Sequence, residues 1–100
     1  MAYKRRARVL FLGPSQLGAA AVAAALELGA EWLEPSTTEA AASGWADLVV
    51  TLDPVSRDHL PALPATSRHK HWNVDTPAEV RERVAGMIGG MRLLARLPED

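Results

Sequence analysis

The chain of 100 residues contains no cysteine, and this absence excludes several kinds of chemistry. Without thiols there is no disulfide framework, no thiolate zinc site and no cysteine nucleophile or redox couple. Aromatic residues make up only 5%, and no stretch reaches the ~20 consecutive apolar residues of a membrane span. Hydrophobic residues at 48% and charged residues at 23% are typical of a globular protein. We therefore predict one domain over residues 1–100.

Positive charge is missing from a long part of the chain. Four basic residues lie near its start, namely Lys4, Arg5, Arg6 and Arg8. No further Lys or Arg occurs before Arg57, and the formal net charge is −1. This distribution predicts no nucleic-acid binding and no membrane contact, and residues 1–7 are interpreted as a flexible basic N-terminus.

A secretory signal peptide is not expected after these basic residues. The apolar run at 9–12 is broken by Gly13 and Pro14, whereas a signal peptide needs about 7 to 15 uninterrupted apolar residues. A cytoplasmic protein is therefore the expectation.

The hydrophobic pattern predicts strands that alternate with helices. The predicted strands cover 9–12, 30–33, 47–52 and 69–74, with Trp72 and Val74 on one face of the last strand and His69, His71 and Asn73 on the other. The first predicted helix covers 16–28, with Ser15 as N-cap and Gly29 as the stop, and a second follows the capping box 36–39 and ends at Gly44. A third covers 54–60 after the N-cap Asp53, and a final helix begins at Pro77. That final helix carries an apolar stripe formed by Val80, Val84, Met87, Ile88 and Met91.

Strands and helices in alternation over short connections predict an α/β fold with a small parallel sheet. We expect four strands in the order 2-1-3-4, with helices on both faces. In such folds the ligand crevice lies beyond the carboxyl ends of the strands. The segments 13–18 and 73–77 and the turn at Asp53 should therefore border it.

The turn after the first strand can offer backbone N–H groups and a helix N-terminus to an anion. It is not a nucleotide P-loop, because Ala19 and Ala20 stand where Lys and Ser or Thr would be required. The Gly-x-Gly-x-x-Gly spacing of dinucleotide-binding proteins is also absent. The motif alone therefore predicts a plain strand-to-helix turn.

In its context, this turn resembles a segment of a known superfamily. The strand at 8–12, an eight-residue loop and an alanine-rich helix resemble the start of the low-molecular-weight protein tyrosine phosphatases and arsenate reductases. Residues 46–53, with Ser56 and Leu60, resemble the third-strand region of the same proteins. Residues 71–77 and the final helix are similar to their acid loop and C-terminal helix. The resemblance covers about two thirds of the chain, although the family is usually longer.

The functional residues of that superfamily are missing here. Its Cys-x5-Arg-Ser pattern would place the nucleophile at Gly13, the arginine at Ala19 and the serine at Ala20. The resemblance implies a thiolate that attacks phosphorus and an arginine that clamps the phosphoryl oxygens, and neither side chain is present. Only Asp75 corresponds to a remnant of the general acid, and an inserted Thr76 separates it from Pro77.

The sequence therefore predicts a non-catalytic, pseudophosphatase-like binding or regulatory module, with an unidentified protein partner or self-association, and with no cofactor and no metal. The residues of a weak phosphate-binding loop would be Gly13, Pro14, Ser15, Gln16, Leu17, Gly18, Ala19 and Ala20. An exposed Trp32 or Trp45 would suit a protein contact.

Two alternatives remain open at this point. The crevice could serve a metal-assisted phosphohydrolase or an anion-binding protein that uses Asp53 and Asp75. The topology is also that of sugar-phosphotransferase IIB carriers, whose phosphorylated cysteine is likewise absent here. His69 and His71 share a strand face, but no third ligand lies nearby in the sequence, so they are interpreted as solvated edge residues, as is His59.

Overall fold

We describe a computed structural model of the chain, which gives the backbone of residues 6–37, 44–60 and 62–96 and the side chains as far as residue 91. These residues contain four strands and three helices in alternation. They are β1 (Ala7–Leu12), α1 (Ser15–Gly29), β2 (Leu33–Ser36), β3 (Leu48–Thr51), α2 (Pro54–Asp58), β4 (Arg68–His71) and α3 (Pro77–Arg96).

The four strands form one parallel sheet in the order β2-β1-β3-β4. Leu10 of β1 pairs with Ser36 on one side and with Val49 on the other. This arrangement confirms the predicted α/β fold and strand order. No helix within the described ranges is long and apolar enough to cross a membrane.

The larger core lies between one face of the sheet and the two long helices. Its buried residues are Val9, Phe11, Leu17, Ala21, Ala24, Ala25, Leu33, Val50, Leu52, Trp72, Val74, Val80, Val84 and Ile88. The rings of Phe11 and Trp72 are 5.9 Å apart. The predicted stripe of α3 is confirmed, because Val80, Val84 and Ile88 are all buried in this core.

Close packing of α1 against α3 depends on Gly29. A Cβ atom at Gly29 would lie 2.6 Å from Cδ1 of Ile88, which is too close for real atoms. Gly29 is predicted above as the stop after the helix, but it is the last residue of α1 and the C-cap is Ala30. Its lack of a side chain therefore serves helix packing.

The opposite face of the sheet carries a smaller cluster. Leu10, Ala46 and Val49 are buried there, and Leu12, Trp45, Leu60 and Leu63 are partly buried against them. The short helix α2 precedes Leu60 and has no buried residue of its own.

Two predicted helix starts are confirmed by their hydrogen bonds. Asp53 caps α2, because its Oδ1 accepts the Ser56 backbone N–H at 3.1 Å. Thr76 and Glu79 cap α3 reciprocally: the Glu79 N–H donates to Thr76 Oγ1 at 3.2 Å, and the Thr76 N–H donates to Glu79 Oε1 at 3.1 Å. Two orphan donors of the helix N-terminus are thereby satisfied.

Several predicted boundaries were wrong. The second strand begins at Leu33, because residues 30–32 form a turn in which Trp32 N–H donates to the Gly29 carbonyl at 2.8 Å. The first helix is preceded by Pro14, and its cap makes no side-chain hydrogen bond, so Ser15 is not the N-cap. The first strand begins at Ala7, inside the segment interpreted as flexible.

The remaining differences concern the later elements. The helix predicted after the box 36–39 falls on residues 38–43, which lie outside the described residues, and Ser36 belongs to β2. The last strand covers Arg68–His71, so Trp72 and Val74 reach the core from the segment that follows it. The second helix ends at Asp58, two residues before the predicted end.

Candidate functional site

An open crevice of about 750 Å³ lies beyond the carboxyl end of β1, next to Thr37, which follows β2. One wall is the outward side of α1 and the other is α2 with the residues that follow it. A crevice in this position is the one that the parallel sheet predicts. Its floor includes Leu12 and Gly13, where β1 ends.

The crevice is lined mainly by apolar side chains. Those of the walls are Ala19, Val22, Ala23, Leu26, Val55 and Leu60. Leu26 is 53% exposed and Val55 is 64% exposed, and both are large hydrophobic side chains that face the crevice from opposite walls. The described lining residues with polar side chains are Ser15, Thr37, Ser56 and His59, and none of the described lining residues is Lys, Arg, Asp or Glu.

The expected eight-residue loop at 13–20 is not formed, because α1 begins at Ser15. Only Gly13 and Pro14 connect β1 to the helix. The backbone N–H groups of Leu17 and Gly18 both donate to the Pro14 carbonyl, at 3.0 and 2.9 Å. These two amides are therefore used inside the chain and are not directed at a ligand.

Gly13, the position that the resemblance assigns to the nucleophile, is packed against β3. The Leu52 N–H donates to the Leu12 carbonyl at 2.8 Å, and this bond joins the segment after β3 to the end of β1. A Cβ atom at Gly13 would lie 2.7 Å from Cβ of Leu52, which is fixed to the backbone and cannot rotate away. The space that a cysteine side chain would need is therefore occupied.

The positions assigned to the arginine and the serine lie on different sides of α1. Ala19 is exposed and lines the crevice, whereas Ala20 is partly buried against the larger core. Gly18 is buried next to Thr37, whose Cγ2 would be 3.2 Å from a Cβ at that position. Gly18, Ala19 and Thr37 border the crevice, whereas Ala20 does not.

The two candidate aspartates do not line the crevice. Asp53 uses its carboxylate to cap α2. Asp75 is exposed, and its backbone N–H donates to Glu79 Oε1 at 2.8 Å. This hydrogen bond is the main reason that the pKa of Glu79 is lowered. The described residues contain no group of three or more His, Cys, Asp or Glu side chains that could hold a metal ion.

His69 and His71 have a partner that the sequence analysis missed. The Oγ1 atom of buried Thr51 lies 2.9 Å from Nε2 of His69 and 2.8 Å from Nδ1 of His71. Thr51 is opposite His71 in the parallel register of β3 and β4. The alternation of side chains along a strand predicts that the two histidines lie on one face. Their contact with Thr51 depends in addition on how β3 pairs with β4, which the sequence does not show.

The electrostatic surroundings of the two strand histidines differ from those of His59. Partial burial, with His71 and Arg57 nearby, lowers the pKa of His69. His59 is exposed, lies at the end of α2, and its Nδ1 is 2.8 Å from the Val55 carbonyl oxygen. His59 borders the crevice, whereas His69 and His71 do not.

The tryptophans considered for a protein contact are both partly buried. Trp45 packs against the smaller cluster, and the Arg8 guanidinium carbon lies 5.8 Å from its ring centroid. Trp32 packs against the larger core. Neither ring lines the crevice.

No protein-family model matches this chain, and a search of curated proteins finds no match. The class that the geometry itself defines is a small parallel α/β domain with a mainly apolar crevice at the carboxyl end of its sheet.

Proposed function

We propose that the chain is a non-catalytic domain related in architecture to the low-molecular-weight phosphatases, and that it acts as a binding module. Its crevice would take an apolar segment of a protein partner. The sequence resemblance supplies the first half of this proposal, and the chemistry of the crevice supports the second half.

The observation that carries the proposal is the contact between Gly13 and Leu52. A phosphatase of this kind needs a nucleophile at the end of the first strand and a loop of free amides around the phosphoryl group. Here the Cβ position of Gly13 lies 2.7 Å from Leu52 Cβ, and α1 begins two residues later. Restoring the missing cysteine would therefore require the backbone to move first.

The lining of the crevice favours an apolar ligand over an anion. Phosphate is bound most strongly through charge-assisted hydrogen bonds, and none of the described lining residues is Lys or Arg. Leu26 and Val55 expose large apolar surfaces to water at opposite walls, and covering them stabilises a complex through the hydrophobic effect. Small side chains at Ala19 and Ala23 let a partner approach the α1 backbone closely.

The first experiment tests for catalysis. The pure protein should not hydrolyse para-nitrophenyl phosphate above the rate in buffer, with or without added divalent cation. Turnover that depends on the protein, and that is lost in Asp53→Asn or Asp75→Asn, would contradict the proposal and favour the phosphohydrolase alternative.

The second experiment tests the apolar crevice with isopropanol as a small probe, followed through backbone amide NMR shifts. We expect the largest shifts at Ala19, Val22 and Leu26, and weaker shifts in the double variant Leu26→Gln/Val55→Gln. Both side chains are exposed, so this variant should fold. The matched control is Ala85→Gln, an exposed position on α3, which should leave the shifts at the crevice unchanged.

A second copy of the chain is the simplest protein partner, and sedimentation distinguishes it from a different protein. If the crevice binds a second copy, the wild-type protein forms dimers that Leu26→Gln/Val55→Gln abolishes and Ala85→Gln does not. A monomer at all concentrations assigns the crevice to a different protein. Isopropanol shifts spread evenly over the molecule would contradict an apolar site.

A further inference from the structure

Three side chains at one edge of the sheet share a single hydroxyl group. Among the residues that the structure describes, Thr51 is the one polar residue that is buried, and its surface is inaccessible to water. Its Oγ1 is within hydrogen-bond distance of a ring nitrogen of both His69 and His71. All three project from the face of the sheet opposite to the two long helices. Val49 belongs to the smaller cluster on that face, and Thr51, two residues later, points to the same side. In the parallel register His69 is opposite Val49 and His71 is opposite Thr51.

This arrangement fits two neutral histidines. A hydroxyl group has one proton to donate and two lone pairs with which to accept. The Nδ1–H of His71 can donate to Thr51, and the Thr51 hydroxyl can donate to an unprotonated Nε2 of His69. Every atom of the bridge then has a partner of the right kind.

Two protonated histidines fit this arrangement poorly. Each ring would then donate to Thr51, so the Thr51 hydroxyl proton would have to turn to the Lys70 carbonyl, which is 3.5 Å away. That distance is long for a hydrogen bond from a hydroxyl group. Two positive rings would also lie within two hydrogen-bond lengths of each other, and Nε2 of His71 is buried without a partner among the described residues.

The charges around His69 act in the same direction. Arg57 of α2 adds to the positive potential at His69, although it also pairs with Asp58 at 3.3 Å. From β3 the facing side chains are Val49 and Thr51, which carry no charge. Burial, His71 and Arg57 together lower the pKa of His69, so the folded protein holds this proton less tightly than the unfolded chain does.

The edge strand that carries these histidines is joined to the sheet on one side only. β4 pairs with β3, and it is the last strand of the sheet. The Arg68 N–H donates to the Asp47 carbonyl at 3.0 Å, and the Trp72 N–H donates to the Thr51 carbonyl at 2.9 Å. Weakening this pairing would free an edge strand and loosen the chain that leads to Trp72.

We propose that Thr51, His69 and His71 form a proton-sensitive latch that holds β4 to β3 near neutral pH and loosens it as the pH falls. The latch is separate from the crevice and does not depend on the function proposed for it. Its sign follows from linkage: a histidine that is held neutral in the folded state contributes stability above its ordinary pKa, and that contribution is lost as the pH falls below it.

Amide hydrogen exchange of the whole wild-type chain tests the latch directly. Protection factors, corrected for the intrinsic rate, would be measured at about pH 7.5 and about pH 5.5, which span the range in which histidine changes its charge. We expect the protection of the Arg68 and Trp72 amides to fall several-fold at the lower pH. The Leu52 amide, which binds the Leu12 carbonyl between β3 and β1, is the internal reference and should keep its protection.

Matched variants assign the effect to these histidines. Glutamine at 69 can present its amide oxygen as the acceptor in place of Nε2, and asparagine at 71 can present its amide NH2 as the donor in place of Nδ1–H. Because neither amide changes its charge, His69→Gln/His71→Asn should remove the pH effect on both backbone amides. His59→Gln removes the remaining histidine, which does not contact Thr51, and should leave the effect as in the wild type. Equal protection at the two pH values in the wild type, or an unchanged pH effect in the double variant, would overturn the proposal.

Discussion

The two faces of the sheet are built differently. On one face, α1 and α3 bury a large apolar core with the strands. On the other face, three buried residues form a small cluster, α2 buries no side chain, and Thr51 is held between two histidines. The crevice opens at the end of the sheet between α1 and α2, so one wall belongs to the tightly packed layer and the other wall to the loosely packed one.

We expect the exposed apolar surface of the crevice to contribute little to the stability of the fold. Core packing depends on residues with almost no exposure, whereas Leu26 and Val55 remain largely in water. Surface apolar side chains that contribute little to stability are available for contact with a partner. Substitutions in the larger core should therefore change the free energy of unfolding more than substitutions in the walls of the crevice.

The largest difference is expected between an apolar truncation on α3 and one on α2. Ile88 is 2% exposed, so Ile88→Ala should lower the free energy of unfolding by about 2–5 kcal/mol. Val55→Ala should change it by less than about 0.5 kcal/mol, because the Val55 side chain is largely in water. Urea unfolding followed by circular dichroism measures both values, and a large loss for Val55→Ala would break the comparison.

The next largest effect is expected at Gly13, on the floor of the crevice. Gly13→Ala should destabilise the protein by about 1–3 kcal/mol, because the new Cβ would overlap Leu52. Gly86→Ala is the matched control, because Gly86 is exposed on α3 and a Cβ atom there would have no neighbour within 4 Å. Alanine at this position should stabilise the helix by up to about 1 kcal/mol. A neutral Gly13→Ala would show that the chain has room for a side chain at this position.

Loss of a helix cap should lower stability by less, and the effect should differ between α3 and α2. Thr76→Ala removes a cap from the well-packed α3 and should cost about 1 kcal/mol in global unfolding. Asp53→Ala should instead loosen α2 locally, because α2 has no buried residue to hold it. Amide exchange at His59, whose N–H donates to the Val55 carbonyl, would detect that local change, and global destabilisation larger than that of Thr76→Ala would contradict it.

The smallest effect is expected from the ion pair that joins α1 to α3 at the surface. Arg81 donates to both carboxylate oxygens of Glu27, at 2.8 and 2.9 Å, and this contact lowers the pKa of Glu27. The stability it contributes is therefore present above pH 4.5 and is lost as the pH falls below that value. Glu27→Gln should flatten the acid side of the stability profile slightly, and an unchanged profile would show that solvent screens the pair completely.

The sequence predicted the fold well where side-chain pattern and backbone chemistry agree. The apolar runs of β1 and β3, the stripe of α3 and the caps at Asp53 and Thr76 all have local causes, and each was confirmed. The strand order follows from alternating elements and the handedness of their connections.

The details that decide the site depend on contacts between residues distant in the chain. Nothing in the segment around Gly13 reveals that Leu52 occupies the neighbouring space, because that contact depends on the register of β1 and β3. The bridge from Thr51 to the histidines depends in the same way on the register of β3 and β4. The start of β2 was misplaced because alanine, glutamate and tryptophan at 30–32 give no turn signal of their own.

An NMR titration with inorganic phosphate, with sulfate and arsenate in parallel, tests whether the crevice has lost the anion site of a phosphatase. The amides of residues 13–20 would be followed, since these would form the phosphate-binding loop of a phosphatase. Our account predicts flat curves, because α1 begins at Ser15, two of its first amides are bonded to Pro14, and no described lining residue carries positive charge. Saturable shifts confined to these amides would contradict it and would identify the crevice as an anion site.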